Sequence, residues 1–401
     1  MTLTPAPAAP ASPAVSQDAP LSYEQAGVNY DLIDPLKVSA QRAAAATAVH
    51  LAGHGFSEVL ASRGESAYVV DVGPFYIASI VECLGSKALV ADEMQQLTGK
   101  SYYDSIAQDT IAMAINDLIT VGATPLIVQA YWAAGGSDWF ADEQRSSALI
   151  AGWKRACDAC SVAWGGGETP ALAGIVADGR IDLAASCTGL INPKDRLSVG
   201  DKLAPGDAIV LLASSGIHAN GLSLARKLIE RLPLGYLTPV PGTEQPGIEK
   251  SGSEAQTGDT ELTYGEALLA PTVLYSPVTE ALYHAGITPH YCANITGHGW
   301  RKLLRHPAEH CYRIHTVPAV TPVLKFIQHH AQLDDREAYS TFNMGAGFAL
   351  FVKAEDAQRC VDVAQSLGVK AWIAGAVEAG PKEVLIEPLG IRYGADDLQL
   401  R

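Results

Sequence analysis

Glycine or serine beside an acid or an amide recurs at four places in this chain. These are Glu82-Cys83-Leu84-Gly85-Ser86-Lys87, Gly165-Gly166-Gly167-Glu168-Thr169, Ser214-Ser215-Gly216-Ile217-His218-Ala219-Asn220-Gly221 and Asn294-Ile295-Thr296-Gly297-His298-Gly299. Each reads as a loop between a strand and a helix. Glycine lets backbone come close to a ligand, and N–H groups at the start of a helix favour an anion. The chemistry this suggests is the holding of phosphate groups, with carboxylates at hand for a hard cation. One such loop is ordinary punctuation; the repetition is the signal. No G-x-x-x-x-G-K-[ST] occurs, which excludes a P-loop.

The stretch that must position these groups runs over residues 81–125. It reads as a strand, a Gly-Ser-Lys turn, a polar connection and a helix. Ile111, Ile115, Leu118 and Ile119 recur at helical spacing, and Gly122 with Pro125 just beyond stops the helix. Seven residues make almost two turns, so Asp109 and Asn116 share a face, with Asp117 next to it.

Around this stretch the pattern predicts a helix over 38–52, strands over 66–73, 75–84 and 125–134, and a helix over 137–160. A short strand over 161–164 and another over 180–191 follow. After a Pro-Gly turn a fresh strand begins at 207–213, and strand, Ser/Gly loop and helix recur, with a helix over about 276–285. The expected organisation is a loose Ala/Pro/Ser tail (1–20), an N-terminal unit (21–203) and a C-terminal unit (204–401) carrying a surface insertion at 238–263. Strands and helices alternate throughout, so the fold class is α/β or α+β.

The chain has 401 residues, 43 acidic and 28 basic, for a net charge of −15. Neutralising a nucleic-acid backbone needs Lys and Arg, so nucleic acid is excluded as the expected partner. No apolar run is long enough to span a membrane, and the N-terminus lacks a basic start and an apolar block. Seven scattered cysteines suggest a reduced, cytoplasmic protein. The C-x-x-C of Cys157 and Cys160 has no second pair and reads as buried structural thiols.

The ordered motifs resemble the aminoimidazole ribonucleotide (AIR) synthetase family, the phosphoribosylformylglycinamidine cyclo-ligases of purine biosynthesis, within a wider ATP-dependent superfamily. The likeness covers roughly residues 21–380. It rests on LSYEQAGVNYD, DSIAQDTIAMAINDLITVGATPL, GGETPALAGIVADGRIDLAASCTG, GDAIVLLASSGIHANGLSLARKLIE, LLAPTVLYSPV, NITGHG and TFNMGAGF, in that order. It implies two α/β domains, each a mixed sheet packed with helices, and a homodimer joined through N-terminal-domain strands. It also implies ATP and Mg²⁺, a small phosphorylated substrate, and ring closure through phosphorylation of a formyl amide oxygen.

Carried over position by position, the resemblance implies catalytic roles for Lys87, His218 and Asn220. It implies ATP or substrate contacts at Glu82, Gly85, Ser86, Asp109, Asn116, Gly166, Gly167, Glu168, Ser214, Ser215, Gly216, Thr296 and Gly297. Metal ligands fall on Asp117, Glu65 and Asn294. Several loops depart from the family pattern. Glu82 and Cys83 stand for Asp and Gly, Asn294 for His or a metal-binding Asp, and His298 for a Gly of the Thr-Gly-Gly-Gly loop. Those departures keep two alternatives open: a relative that activates another amide or carboxyl with ATP, and a non-catalytic nucleotide-binding dimer.

Overall fold

The computed structural model describes residues 21, 30–243 and 261–398. The tail at 1–20, most of the LSYEQAGVNYD segment and the middle of the 238–263 insertion lie outside them. The flanks of the insertion meet in a bridge between Pro239 and Thr263.

Two mixed sheets carry the molecule. The first has six strands: β1 (Ser57–Glu58), β2 (Tyr68–Asp71), β3 (Tyr76–Cys83), β4 (Thr124–Ala134), β5 (Ala163–Glu168) and β6 (Ile181–Ile191), in the order β1-β2-β3-β6-β4-β5. All its neighbours are antiparallel except β4 and β5. The second has seven: β7 (Ala208–Ala213), β8 (Tyr291–Asn294), β9 (His310–Ile314), β10 (Ala346–Val352), β11 (Ala371–Ala379), β12 (Glu383–Ile386) and β13 (Ile391–Gly394). Its order is β13-β12-β9-β11-β7-β10-β8, with β9 and β12 parallel.

The helices of the first half are α1 (Tyr30–Thr47), α2 (Lys87–Thr98), α3 (Tyr103–Leu118), α4 (Asp138–Ala141) and α5 (Glu143–Ala159). α3 is the buried one. Its Ile106, Ile111, Ile115 and Leu118 are fully enclosed between β3, β6 and α5. Each such side chain contributes roughly 1.5–3 kcal/mol by leaving water. Burial on nearly every side leaves Asp109, Asn116 and Asp117 inside the protein as well, so each needs a partner. A 3₁₀ turn (Ile119–Val121) and Gly122 at φ 86° end the helix. A Cβ at Gly122 would sit 2.0 Å from the Arg196 carbonyl oxygen, so both conformation and space demand glycine.

Four readings of secondary structure change. The polar connection after Lys87 is helix α2. α1 begins at Tyr30 and runs through Pro35 rather than starting at 38. The helix over 137–160 is two, because Asp142 turns to ψ 97° and caps α5, accepting the Arg145 N–H at 3.1 Å. Gly165–Glu168 is strand, not loop: β5 lies so close to β4 that a Cβ on Gly167 would come within 2.0 Å of the Ala130 carbonyl oxygen.

Candidate active site

A cavity of about 390 Å³ opens where the end of β3, the end of α3, the loop between β1 and β2, the turn after β7 and the segment after β8 meet. Glu82 reaches it from β3, Met113 and Asp117 from successive turns of α3, and Glu65 from the β1–β2 loop. The second sheet supplies Asn220, Thr296, Gly297 and His298, and a 3₁₀ turn (Gly299–Leu304) brings Lys302 and then Arg305. Lys37 of α1 closes one side.

Acids and bases both line this space. Burial, and then the neighbouring Asp117, push the Glu82 carboxyl up to about 7. Burial, and then Arg305, pull the Lys302 ammonium down to about 8. Asp117 is 7% exposed, and its Oδ1 accepts the Asn294 Nδ2–H at 2.7 Å. The Tyr291 hydroxyl donates to Glu65 at 2.8 Å, and Arg305 donates to Ser66. The Asn220 Oδ1 is buried with no hydrogen-bond partner among the described residues, an acceptor waiting for a donor. His298 holds φ 71° where glycine would be unstrained, and burial lowers its imidazole to about 3.

The pair Glu82 and Asp117 fits a Mg²⁺ ion. Burial and the neighbouring Asp117 raise the proton affinity of Glu82, a load that a divalent cation would relieve, and Mg²⁺ takes one or two protein carboxylates plus phosphate oxygens. Among the described residues no three His, Cys, Asp or Glu side chains form a site that would hold a metal unaided. The remaining ligands would therefore come from the substrate and water.

Behind the cavity several other candidate residues form a second, largely buried belt along α3. Lys87 Nζ lies 2.8 Å from Asp109 Oδ2 and donates to the Ala270 carbonyl at 2.9 Å. The Thr272 N–H donates to Asp109 Oδ1 at 2.8 Å, and its hydroxyl does so too. Two turns further, Asn116 donates to the Val273 carbonyl at 2.8 Å and accepts the Tyr275 N–H at 3.0 Å. The belt clamps segment 270–275 of the second half onto α3. His218 joins it: its Nε2 accepts the Ser215 N–H at 3.2 Å, and burial, with the Lys87 charge, lowers it to about 3. Ser214 donates to Asn343, Ser215 to the Pro271 carbonyl, and the Gly216 carbonyl accepts from Asn343.

The structure thus brings Glu65, Glu82, Asp117, Asn220, Thr296 and Gly297 to one cavity, with Asn294 bound to Asp117. Lys87, Asp109, Asn116, His218, Ser214, Ser215 and Gly216 lie in the belt behind it. Gly85 and Ser86 form the turn into α2 and do not line the cavity. Gly166, Gly167 and Glu168 sit on β5, at the far edge of the first sheet from β3, and do not reach it either. The reading from sequence passed over Lys37, Lys302 and Arg305. The signal for the last two was available: cations three residues apart directly after a glycine-rich loop.

Residues 64–191 match the N-terminal domain of AIR synthase related proteins, and residues 204–387 match the C-terminal domain. The phosphoribosylformylglycinamidine cyclo-ligase of Methanothermobacter thermautotrophicus is 32% identical over 368 residues, 92% of this chain and 97% of the relative. That of Carboxydothermus hydrogenoformans is 33% identical over 338 residues, 82% of this chain and 90% of the relative. Among solved structures, the hydrogenase maturation protein HypE in complex with ATP superposes with a TM-score of 0.54 at 17% identity, over 82% of this chain and 86% of that one. AaThiL complexed with AMPPCP and TMP gives 0.51 at 14%, over 82% and 91%; at such identities these two speak for the fold alone. With both halves of the fold in sequence, and an end-to-end identity of about a third, this chain belongs to the phosphoribosylformylglycinamidine cyclo-ligase family of AIR synthase related proteins.

Proposed function

We propose that this chain is an ATP-dependent cyclo-ligase that converts formylglycinamidine ribonucleotide to aminoimidazole ribonucleotide, with release of ADP and phosphate. The observation that carries this beyond family membership is the cavity itself, where three carboxylates, three cations and a partnerless amide oxygen converge. An amide oxygen is a very poor leaving group. Transfer of the terminal phosphoryl of ATP to the formyl oxygen makes it a good one, and the amidine nitrogen then attacks that carbon, loses a proton and expels phosphate. Catalysis of this kind is mostly positioning and charge neutralisation.

In this reading Glu82 and Asp117 hold Mg²⁺, which when bound offsets charge on the phosphates. Asn294 orients Asp117, leaving its other oxygen to face the cavity. Asn220 accepts an N–H of the substrate's amide or amidine. The belt of Lys87, Asp109 and Asn116 positions α3 against the second half rather than touching phosphate. His218, neutral at working pH, keeps the turn before Asn220 in shape.

A homodimer is part of the same proposal. The face of the first sheet turned away from α3 exposes Val81, Leu126, Ile127 and Tyr131, apolar area that a second copy would cover. The seven free thiols suit a reducing cytoplasm. The test of the function is turnover with ATP and Mg²⁺, following ADP, phosphate and aminoimidazole ribonucleotide together. Equal amounts of the three support it. ADP release that depends on some other amide, with none on the purine intermediate, overturns it.

A further inference from the structure

Lys302 is 9% exposed and lines the cavity, yet its ammonium makes no hydrogen bond and no ion pair among the described residues. The ammonium carries three donors that no protein group takes up, and it presents them to the cavity. The local fold aims it there on purpose. In a 3₁₀ turn residues three apart stack on one face, so Lys302 and Arg305 emerge together. Trp300 anchors the turn by donating to the Asn343 carbonyl at 2.8 Å, and Leu303 and Leu304 are buried beneath it. Arg301 turns the other way, to the Asp397 and Ser340 carbonyls.

The charges facing Lys302 say what it waits for. Asp117 of α3 and Glu82 of β3 attract it, while Arg305 on its own turn and Lys37 of α1 repel it. With Glu65, the cavity wall holds three acids and three bases. With every group ionised these charges balance, so a divalent cation at the carboxylates would leave a positive surplus for an anion to offset. We propose that Lys302 is a catalytic residue whose ammonium contacts the terminal phosphoryl group of the nucleotide, beside the carboxylates Glu82 and Asp117. A phosphate this close to two carboxylates must share their cation, which selects the triphosphate end over the sugar phosphate of the other substrate. In the transfer step the bond from the γ-phosphorus to the β,γ-bridging oxygen breaks and its electron pair leaves on ADP. A bond from that phosphorus to the formyl oxygen forms, and Lys302 neutralises the equatorial oxygens without losing its proton. The inference rests on the function proposed above.

The test is calorimetric titration with Mg²⁺ of wild type, Lys302→Met, Lys302→Gln and Lys302→Arg, using a β,γ-imido analogue of ATP and, separately, ADP. A charge-assisted hydrogen bond to phosphate predicts that Met and Gln weaken the analogue roughly 10- to 100-fold and ADP less than about threefold. Arg should recover most of the loss. Retained ADP affinity shows at the same time that each variant is folded. Equal losses for both nucleotides, or no loss for either, overturn the role of Lys302. Wild-type protein that binds neither nucleotide overturns the proposed function and this inference with it.

Discussion

Asp109→Asn is the sharpest probe of how the two halves are joined. Asp109 and Lys87 are both fully buried, 2.8 Å apart, and Asp109 also takes two hydrogen bonds from Thr272, 163 residues away in the chain. The amide keeps an oxygen for Thr272 but leaves the Lys87 ammonium without its counter-charge. Breaking a buried pair from one side costs about 3–5 kcal/mol. With an unfolding entropy of roughly 2 cal/mol/K per residue, spread over one half of the chain or over both, 4 kcal/mol lowers the midpoint by about 5–10 °C. Differential scanning calorimetry reads the shift. The double variant Lys87→Met with Asp109→Asn should lose clearly less than the sum of the single losses, since it removes the stranded charge, giving a coupling of about 2 kcal/mol or more. An Asp109→Asn protein within about 1 kcal/mol of wild type, with additive single effects, would refute the clamp and return Lys87 to a phosphate-binding role.

Further outcomes follow from the cavity and the core. Asp117→Asn should keep its contact with Asn294 and its stability but lose about 10²-fold in turnover; a drop under tenfold would remove Asp117 as the Mg²⁺ ligand. Glu82 holds its proton to about 7 in the folded state against 4.5 in the unfolded one. Between those values the folded chain binds more protons, so stability present at low pH is lost as pH rises through the window, by about 2–3 kcal/mol. Glu82→Gln should flatten that fall, and urea titrations at pH 5 and 7.5 that give wild type and variant the same pH dependence would contradict it. Of the seven cysteines Cys83 alone is exposed, and burial pushes Cys157, Cys187, Cys292 and Cys360 up to about 12. A disulfide reagent at pH 8 should find no more than one reactive thiol in the native protein, Cys83, and seven after denaturation; several reactive native thiols would show a looser core.

Much of this architecture could be read in advance, for physical reasons. The spacing of Ile111, Ile115 and Leu118 placed α3, and Gly122 ended it, because local periodicity and a left-handed stop are properties of adjacent residues. Loops 214–221 and 294–299 were legible as motifs. What escaped depended on distant partners. Glycine disfavours strands on average, so Gly165–Gly167 read as a loop, yet the close approach of β5 to β4 requires it. Lys87 beside Gly85 and Ser86 reads as a phosphate lysine, and its burial against Asp109 and the Ala270 carbonyl could not be read from its neighbours in the chain. Lys302 and Arg305 carried a local mark, two cations three residues apart after a glycine-rich loop, but the acids Lys302 faces lie some two hundred residues earlier in the chain.

A crystal structure with the β,γ-imido ATP analogue and Mg²⁺ tests the whole account most directly. The account predicts metal between the carboxylates of Glu82 and Asp117, with the terminal phosphoryl against Lys302 and the Asn220 oxygen left for the second substrate. A nucleotide whose phosphates lie along β5 at Glu168, or against a displaced Lys87, with this cavity holding neither metal nor phosphate, would contradict it.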